Sequence, residues 1–240
     1  MTETYPVTPR NRVKREPDRG SYSRDEIYRV LDAAMLCHVA YVLDGQPFCT
    51  PTLLWREGDV LYWHGSSASR MIRQLAQGAP ACVTVSHLDG LVMARSAFNH
   101  SVNYRSAMCF GTARLVSDPD EKLHALRAMV DRFYPGRFET LRPVTAQEIK
   151  ATGFIAMPID EASMKSRAHG VGEDAADAGH EVWAGVINLE TRIVADAPCP
   201  RMEPPLPRPA GLAPLSEGAR LDEALLHLQR LYEGEVGALV

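Results

Sequence analysis

Apolar residues recur along much of the chain with the two-residue period of β-strands, in short runs rich in valine, tyrosine, tryptophan and leucine. The runs cover Leu36–Val42, Phe48–Arg56, Val60–His64, Ala81–Leu88, Ala107–Val116 and Gly153–Ile159. Asp44-Gly45 and residues 57–59 separate the first three runs, and both segments are typical hairpin turns. The pattern predicts six or seven short strands, most of them joined as antiparallel hairpins.

Helical spacing interrupts the strands. A capping serine or aspartate, Ser23, Ser69 or Asp118, precedes each of three amphipathic segments. Near the end, leucines from Leu221 to Leu231 repeat at the same spacing and predict a terminal helix. Few helices among many hairpin-linked strands favour an antiparallel barrel, mainly β with α+β content, over a parallel α/β sheet.

The composition suggests one main domain with extensions. We predict an N-terminal arm at residues 1–22, a barrel domain at 23–190, a proline-rich linker at 191–215 and a C-terminal helix at 216–240. The first segment holds five basic residues and three prolines, so it is expected to be extended. Taken alone, such an arm would be solvated.

Charge and cysteine usage exclude several classes of protein. The formal net charge of -4 disfavours general nucleic-acid binding, so any anion must be held locally. The five cysteines form no CxxC pair, which indicates reduced thiols in a cytoplasmic protein. No segment has the roughly 20 apolar residues that a membrane span requires, and no secretory signal is recognisable. We therefore expect neither membrane insertion nor secretion.

The most polar stretch between strand-like runs covers residues 88–112 and carries two arginines. Its polar residues are Arg95, Ser96, Asn99, His100, Ser101, Asn103, Tyr104, Arg105 and Ser106. Guanidinium groups surrounded by hydroxyls and amides suit an anionic ligand at a sheet edge. The alternative is a polar connection with surface arginines.

A second candidate anion site lies where the strand ending at His64 runs into the helix that begins near Arg70. Backbone N–H groups, serine hydroxyls and a guanidinium are close together there, which is typical of phosphate binding. An ordinary helix cap beside a surface arginine would give the same pattern. The apolar stretch Thr52–Trp55 offers backbone amides that could line a flat ring.

These residues resemble a known family. DGQPFCTPTLLWREGDVLYWHGS, SRMIRQL, LDGLVMARSAFNHSVNYRSAMCFG and WAGVINL are similar to motifs of the pyridoxamine 5'-phosphate oxidase-like FMN-binding split-barrel superfamily, in its nitroimidazole-resistance (NimA-like) branch. The resemblance covers roughly residues 10–190. It implies a six-stranded antiparallel split β-barrel of Greek-key type with flanking helices. It also implies a homodimer with FMN bound at the subunit interface.

The resemblance also implies the cofactor-binding residues. They are Thr52, Leu53, Leu54, Trp55, His64, Gly65, Ser69, Arg70, Met71, Asn103, Tyr104, Arg105, Ser106 and Trp183. In the oxidase the segment matching Ser69-Arg70-Met71 reads Ser-Arg-Lys, and its arginine and lysine bind the FMN phosphate. Met71 departs from that pattern, so Arg105 or an N-terminal arginine would have to supply the missing cation. Trp183 is either near the flavin or an ordinary core residue.

Two histidines are the predicted catalytic residues. His64 lies in a His-Gly motif that is near the flavin in NimA-like relatives, and a near-neutral pKa would let it relay a proton. The alternative is a histidine that only packs and hydrogen-bonds. His100 is the second candidate. No histidine has metal-ligand partners at useful spacing, so no metal site is predicted.

The predicted function is that of an FMN-dependent oxidoreductase. Electrons would pass from a reduced nicotinamide, NADH or NADPH, or another donor through FMN to a small organic acceptor such as a nitroaromatic compound. One alternative is a non-catalytic flavin-binding carrier, sensor or accessory protein. Another is a split-barrel protein that uses a deazaflavin or haem.

Overall fold

The computed structural model describes residues 3–236. Within that part of the chain, eleven β-strands form antiparallel ladders. The strands are β1 (Gly20–Ser21), β2 (Leu36–Leu43), β3 (Gln46–Leu53), β4 (Trp55–Glu57), β5 (Val60–Ser66), β6 (Pro80–Met93), β7 (Ser101–Thr112), β8 (Arg114–Leu115), β9 (Thr152–Pro158), β10 (Glu161–Arg167) and β11 (Gly185–Asn188).

The helices are fewer and mostly short. They are α1 (Arg24–Asp32), α2 (Arg70–Leu75), α3 (Pro119–Phe133), α4 (Ala146–Ala151) and α5 (Leu221–Tyr232), with 3-10 turns at Pro17–Arg19, Ala97–Asn99, Phe138–Thr140, Ala175–Asp177 and Ala210–Leu215. α1, α2 and α3 begin after Ser23, Ser69 and Asp118, whose side-chain oxygens accept hydrogen bonds from first-turn amides. These starts agree with the sequence pattern.

The strands divide into two sheets. The larger sheet has the order β1-β10-β7-β6-β2-β3, with β11 also paired to β6, and the smaller has the order β4-β5-β9-β8. The chain crosses between sheets at Leu54, whose N–H donates to the Met35 carbonyl (2.9 Å). The predicted class, mostly antiparallel sheet with a few helices, is confirmed. The strand count exceeds six because the run Phe48–Arg56 breaks at Leu54, because β1, β8 and β11 are too short to show a period, and because β10 is largely polar.

Two apolar clusters stabilise the sheets. The first is formed by inward-facing residues of both sheets, including the fully buried Trp63, and α2 adds Ile72 and Leu75 to it. The second lies on the other face of the smaller sheet, where Trp55 and Phe154 pack against side chains of α3 and α5. The smaller sheet is therefore buried on both faces.

The polar stretch at residues 88–112 is mostly strand. β6 and β7 continue past the barrel as a long hairpin with a bulge between Leu88 and Gly90, and only Ala94–His100 connects them. The hairpin accommodates polar residues because its inward-facing Asn103 is hydrogen-bonded by Arg167 (2.5 Å). Strand propensity alone would not predict this.

The N-terminal segment lies against the barrel. Tyr5 is 2% exposed and its hydroxyl donates to Asp59 (2.7 Å). Asn11 is also buried, and its amide donates to the Pro6 and Ala162 carbonyls. The segment predicted as an arm is therefore anchored at several points in the described part, and it does not lie free in solvent.

The C-terminal segment returns to the barrel. Residues 191–220 form a loop whose two ends meet, with the Thr191 carbonyl accepting from Leu221 N–H, and α5 packs against α1 and α3. Leu225 and Leu228 are fully buried. α5 also places Glu233 against Arg56, which is paired with Asp32 in a buried cluster.

A close approach of two strands gives a test of this packing. The Gly111→Ala substitution in β7 would put a methyl group on the Pro158 carbonyl of β9. We expect a loss of roughly 1–3 kcal/mol in the free energy of unfolding, measured by urea denaturation, as for other overpacked sites. Gly170→Ala, which meets open space, is the control and should change stability by less than about 0.5 kcal/mol. Equal stability of the two variants would contradict the packing described.

Candidate functional site

The end of β5 and the start of α2 form the first part of the predicted site. Ser69 caps α2 by accepting a hydrogen bond from the Ile72 amide (3.3 Å). Arg70 is exposed, stacks over the Phe48 ring at 4.1 Å, and has no carboxylate partner among the described residues. Met71 is buried in the barrel core. Of these residues, Arg70 has the side chain that is free to contact an anion.

Strand β3 lies beside this segment. The Thr52 hydroxyl donates to the His64 carbonyl (3.3 Å), which brings two of the predicted site segments together. Among the described strands β3 pairs only with β2, so its other edge can offer backbone amides. Leu54 and Trp55 are each 2% exposed, so their side chains face the core. Leu53 is half-buried.

His64 occupies an aromatic environment at the end of β5. Its ring centroid lies 6.3 Å from that of Trp55 and 6.0 Å from that of Phe154. His64 Nδ1 and Trp55 Nε1 are both buried without a hydrogen-bond partner in the described structure. Burial lowers the pKa of His64, so the ring is neutral near pH 7. A neutral imidazole with an unpaired nitrogen can accept a proton or bind a metal ion.

The second part of the predicted site lies on β7, around Arg105. Its guanidinium donates to both carboxylate oxygens of Asp89 (2.9 and 2.7 Å) and to Asp222 of α5 (3.0 Å). These hydrogen bonds raise the pKa of Arg105, and the hydrogen bond that it donates to Asp89 contributes most. With two carboxylates bound, Arg105 carries no excess positive charge for a phosphate in this arrangement.

The neighbours of Arg105 point in alternate directions. Asn103 is buried and its side-chain oxygen accepts from Arg167, whereas the Ser106 hydroxyl on the other face donates to the Lys165 carbonyl (3.2 Å). Tyr104 is half-buried and lies opposite Leu88. Along the sheet β7 and β3 are three strand spacings apart, roughly 14 Å. Within one chain, the β3 and α2 part of the predicted site is therefore separate from the β7 part around Arg105.

The tip of the long hairpin carries the remaining candidates. The imidazole Nδ1 of His100 hydrogen-bonds the Ser96 carbonyl (2.9 Å), and the neighbouring Phe98 is 91% exposed. Arg95 is bound by Glu173 in an ion pair. Trp183 is 65% exposed, with its ring against Gly185 at the start of β11. An exposed tip with two aromatic rings is a surface that a ligand or a second chain can cover.

Several residues of the site have no local signal in the sequence. Phe154 reaches His64 through the pairing of β9 with β5, and Asp222 reaches Arg105 from 117 residues away. Only the register of strands and the docking of α5 reveal them. Within residues 3–236 no three His, Cys, Asp or Glu side chains cluster as a metal site would require. The helices of the same residues include none with the length and apolar character needed to cross a bilayer.

One of the comparisons with known proteins identifies a family. The family model described as pyridoxamine 5'-phosphate oxidase matches residues 23–166, more than half of the chain. A search of curated proteins gave no match.

Solved structures are also similar. The flavocytochrome Anf3 from Azotobacter vinelandii is 43% identical with a TM-score of 0.82, covering 88% of this chain and 98% of its own. The FAD and heme binding protein from Mycobacterium smegmatis is 38% identical with a TM-score of 0.78, covering 85% and 98%. A candidate 5-nitroimidazole antibiotic resistance protein from Bacteroides thetaiotaomicron shares the fold, at 23% identity and a TM-score of 0.51 over 61% and 85%.

The environment of His64 predicts a pH dependence. In protein freed of any bound ligand, His64 should titrate below the ordinary histidine pKa of about 6.5, because burial disfavours its charged form. The unfolded chain then binds the proton more readily, so stability is retained above about pH 6.5 and falls as the pH drops towards the lowered pKa. NMR titration of the ring protons measures the pKa. The His64→Phe variant should lose less stability on acidification. A His64 pKa of 6.5 or higher in the unsubstituted protein would contradict the burial argument.

Proposed function

The chain belongs to the pyridoxamine 5'-phosphate oxidase family, as its motifs predicted, and on this premise we propose that it binds a flavin and a haem and transfers electrons. The similarity that carries this proposal is the 43% identity, over almost the whole of both chains, to a flavocytochrome. The second relative, an FAD and heme binding protein, supports the same pair of cofactors. When bound, the flavin would supply hydride and one-electron chemistry and the haem an iron centre.

The residues around His64 fit a haem. The unpaired nitrogen of the neutral His64 imidazole would hold the haem iron, and the Trp55 and Phe154 rings would give the dry surroundings that an apolar macrocycle requires. If no haem is bound, the same nitrogen can accept or donate a proton during reduction of an acceptor. His100 is the second candidate for that proton transfer, since its Nδ1 is held by Ser96.

The flavin is proposed to lie along β3 and α2. The unpaired Arg70 and the Ser69 segment suit its phosphate, and backbone donors at the free edge of β3 suit the polar edge of the isoalloxazine. FMN is the flavin that the motifs imply, whereas FAD is named for the mycobacterial relative. Both carry the same ring and first phosphate, so this region alone is compatible with either.

We further propose that the protein is a homodimer. The outer face of the large sheet, defined by alternation from the buried Val39, Val83 and Cys109, carries no charged residue over four strands. Its members are His38, Ala40, Val42, Pro47, Cys49, Pro51, Cys82, Thr84, Ser86, Ser106, Met108 and Phe110. Val42 is 57% and Met108 43% exposed, and a surface of this kind is suited to a second copy. A second copy could also bring its β7 towards the β3 and α2 residues of the first.

The chain's own residues suggest how a reaction would proceed. Aromatic side chains exclude water beside His64, and the neutral imidazole can hold or deliver one proton at its Nδ1. NADH or NADPH is the proposed electron donor and a small organic molecule such as a nitroaromatic the acceptor. A flavin-binding carrier or sensor without turnover is the second candidate, and the same fold supports it.

The cofactor proposal is tested by the absorption spectrum of the purified protein. We expect flavin bands together with a haem Soret band, and chromatography of the released flavin distinguishes FAD from FMN. His64→Phe should abolish the Soret band while leaving the flavin and the fold, because it keeps the aromatic packing and removes the nitrogen. His227→Ala on α5 is the control.

A protein with neither chromophore, even after incubation with both, would contradict the proposal. A Soret band that survives His64→Phe would contradict the choice of ligand. Bleaching of the flavin band by NADH or NADPH, with reoxidation by a nitroaromatic, would favour the reductase over the carrier.

The dimer is tested by Met108→Glu. In a two-fold interface one substitution places a carboxylate against the partner's identical surface, so we expect the mass measured by light scattering to shift from dimer to monomer. The control is Leu123→Glu, because Leu123 on α3 is similarly exposed (45%) but lies outside the outer face. A dimer that survives Met108→Glu, or a monomeric unsubstituted protein, would contradict this surface as the interface.

A further inference from the structure

A groove of about 280 Å³ separates the N-terminal segment from strands β7 and β10. It overlaps the edge of the outer face, since three residues of that face, Ser106, Met108 and Phe110, form its floor. Its opposite wall is the segment from Arg10 to Arg15. Of the residues predicted to bind the flavin, Ser106 alone lines this groove.

Positive charge is concentrated at the groove. It is lined by Arg10, Arg12, Lys14, Arg15 and Lys165. Glu161 neutralises Arg10 (2.7 Å). The other four have no carboxylate partner among the described residues, although the chain as a whole has a formal net charge of -4. This local excess of cations is therefore not explained by the overall charge.

The cations are held in place by the fold. Lys165 Nζ donates to the Arg15 carbonyl (2.6 Å), and the Val13 amide donates to the Tyr22 hydroxyl (2.9 Å). Val13 also packs against Gly20, where a Cβ would overlap it. Together with the buried Asn11, these contacts fix the backbone that carries the basic side chains. Binding an anion would then require little ordering of the chain.

The groove also offers groups that suit the rest of a nucleotide. The Ser163 hydroxyl, on a residue only 7% exposed, makes no hydrogen bond within the described structure; Met108 lies opposite it on β7, and Ser106 is two residues further along that strand. Met108 and Phe110 give an apolar floor for a sugar or base. The volume accommodates a diphosphate group rather than a whole dinucleotide.

We propose that this groove binds the phosphates of a nucleotide. The inference rests on the proposed flavin function and dimer and deepens them, because FAD differs from FMN by an additional phosphate and an adenosine. Since β7 and β3 lie roughly 14 Å apart within one chain, the groove of one copy would serve the flavin held at Arg70 of the other. The same phosphate chemistry could come from a nicotinamide nucleotide, and the experiment below separates these sources. Guanidinium and ammonium groups form charge-assisted hydrogen bonds with phosphate oxygens, and these are the strongest contacts the groove can make.

The experiment compares two double charge reversals of equal net charge. Arg12→Glu with Arg15→Glu changes the groove and leaves the Arg15 carbonyl that holds Lys165. Arg29→Glu with Arg201→Glu changes two exposed arginines elsewhere that have no ion pair in the described structure. Each flavin-free protein is titrated with FAD, FMN, NADPH and NADH, and dissociation constants are measured at low and high salt.

We expect FAD affinity to fall about tenfold or more in the groove variant and to change less than about twofold in the control. The affinity of the groove variant for FAD should also depend less steeply on salt concentration than that of the unsubstituted protein. FMN, with one phosphate fewer, should be affected less. A selective fall for NADPH or NADH, with FAD unchanged, would assign the groove to the nicotinamide nucleotide. Equal effects in both variants, or none in either, would overturn the proposal. Failure of the unsubstituted protein to bind either flavin would overturn the proposed function itself.

Discussion

The buried ion pair between Arg56 and Asp32 is the interaction on which the arrangement of helices depends. Arg56 donates to both oxygens of Asp32 (3.0 and 2.6 Å) and to Glu233, which caps the C-terminal end of α5 (2.9 Å), so it joins α1, β4 and the C-terminal helix. Burial raises the pKa of Asp32, and the hydrogen bonds from Arg56 oppose that shift. Removing one partner of such a pair costs about 3–5 kcal/mol, because the other charge stays buried. α5 is thereby held where its Asp222 can reach Arg105.

This coupling affects the candidate site. Arg105 on β7 is bound by two carboxylates, Asp89 from the bulge of β6 and Asp222 from α5. The segment that follows the barrel therefore completes the environment of Arg105. Arg70 has no such partner in the described residues and stacks on Phe48 instead. Of the two arginines that the motifs associate with a phosphate, the sheet therefore neutralises one and leaves the other available. If an anionic ligand replaced the carboxylates at Arg105, Arg105 would release Asp222, and α5 would lose that contact with β7.

Much of the fold follows from local patterns, whereas the site depends on long-range contacts. Asp44 and Gly45 both have positive φ, as the predicted hairpin turn requires, and the capping side chains begin the helices where expected. The residues of β7 near Arg105 did not predict a strand, because their polar groups are satisfied by Arg167, Asp89 and Asp222 from distant segments. The N-terminal segment has few apolar residues, yet Tyr5 and Asn11 bury it. Such contacts have no period in the sequence.

Met71 links the departure from the family motif to the distribution of charge. Its side chain is 7% exposed in the barrel core, a position where an ammonium group would lose its hydration unless its long stem reached the surface. The lysine of the related motif is thus replaced by a residue that packs, and α2 retains Arg70 for an anion. A ligand with more than one phosphate then needs cations from another element. The anchored segment from Arg10 to Arg15 has them, beside the uncharged outer face and in a chain that is otherwise acidic. The loss of one cation at α2 and the concentration of others at the groove are therefore consistent with a ligand larger than FMN that contacts α2 of one copy and the groove of the other.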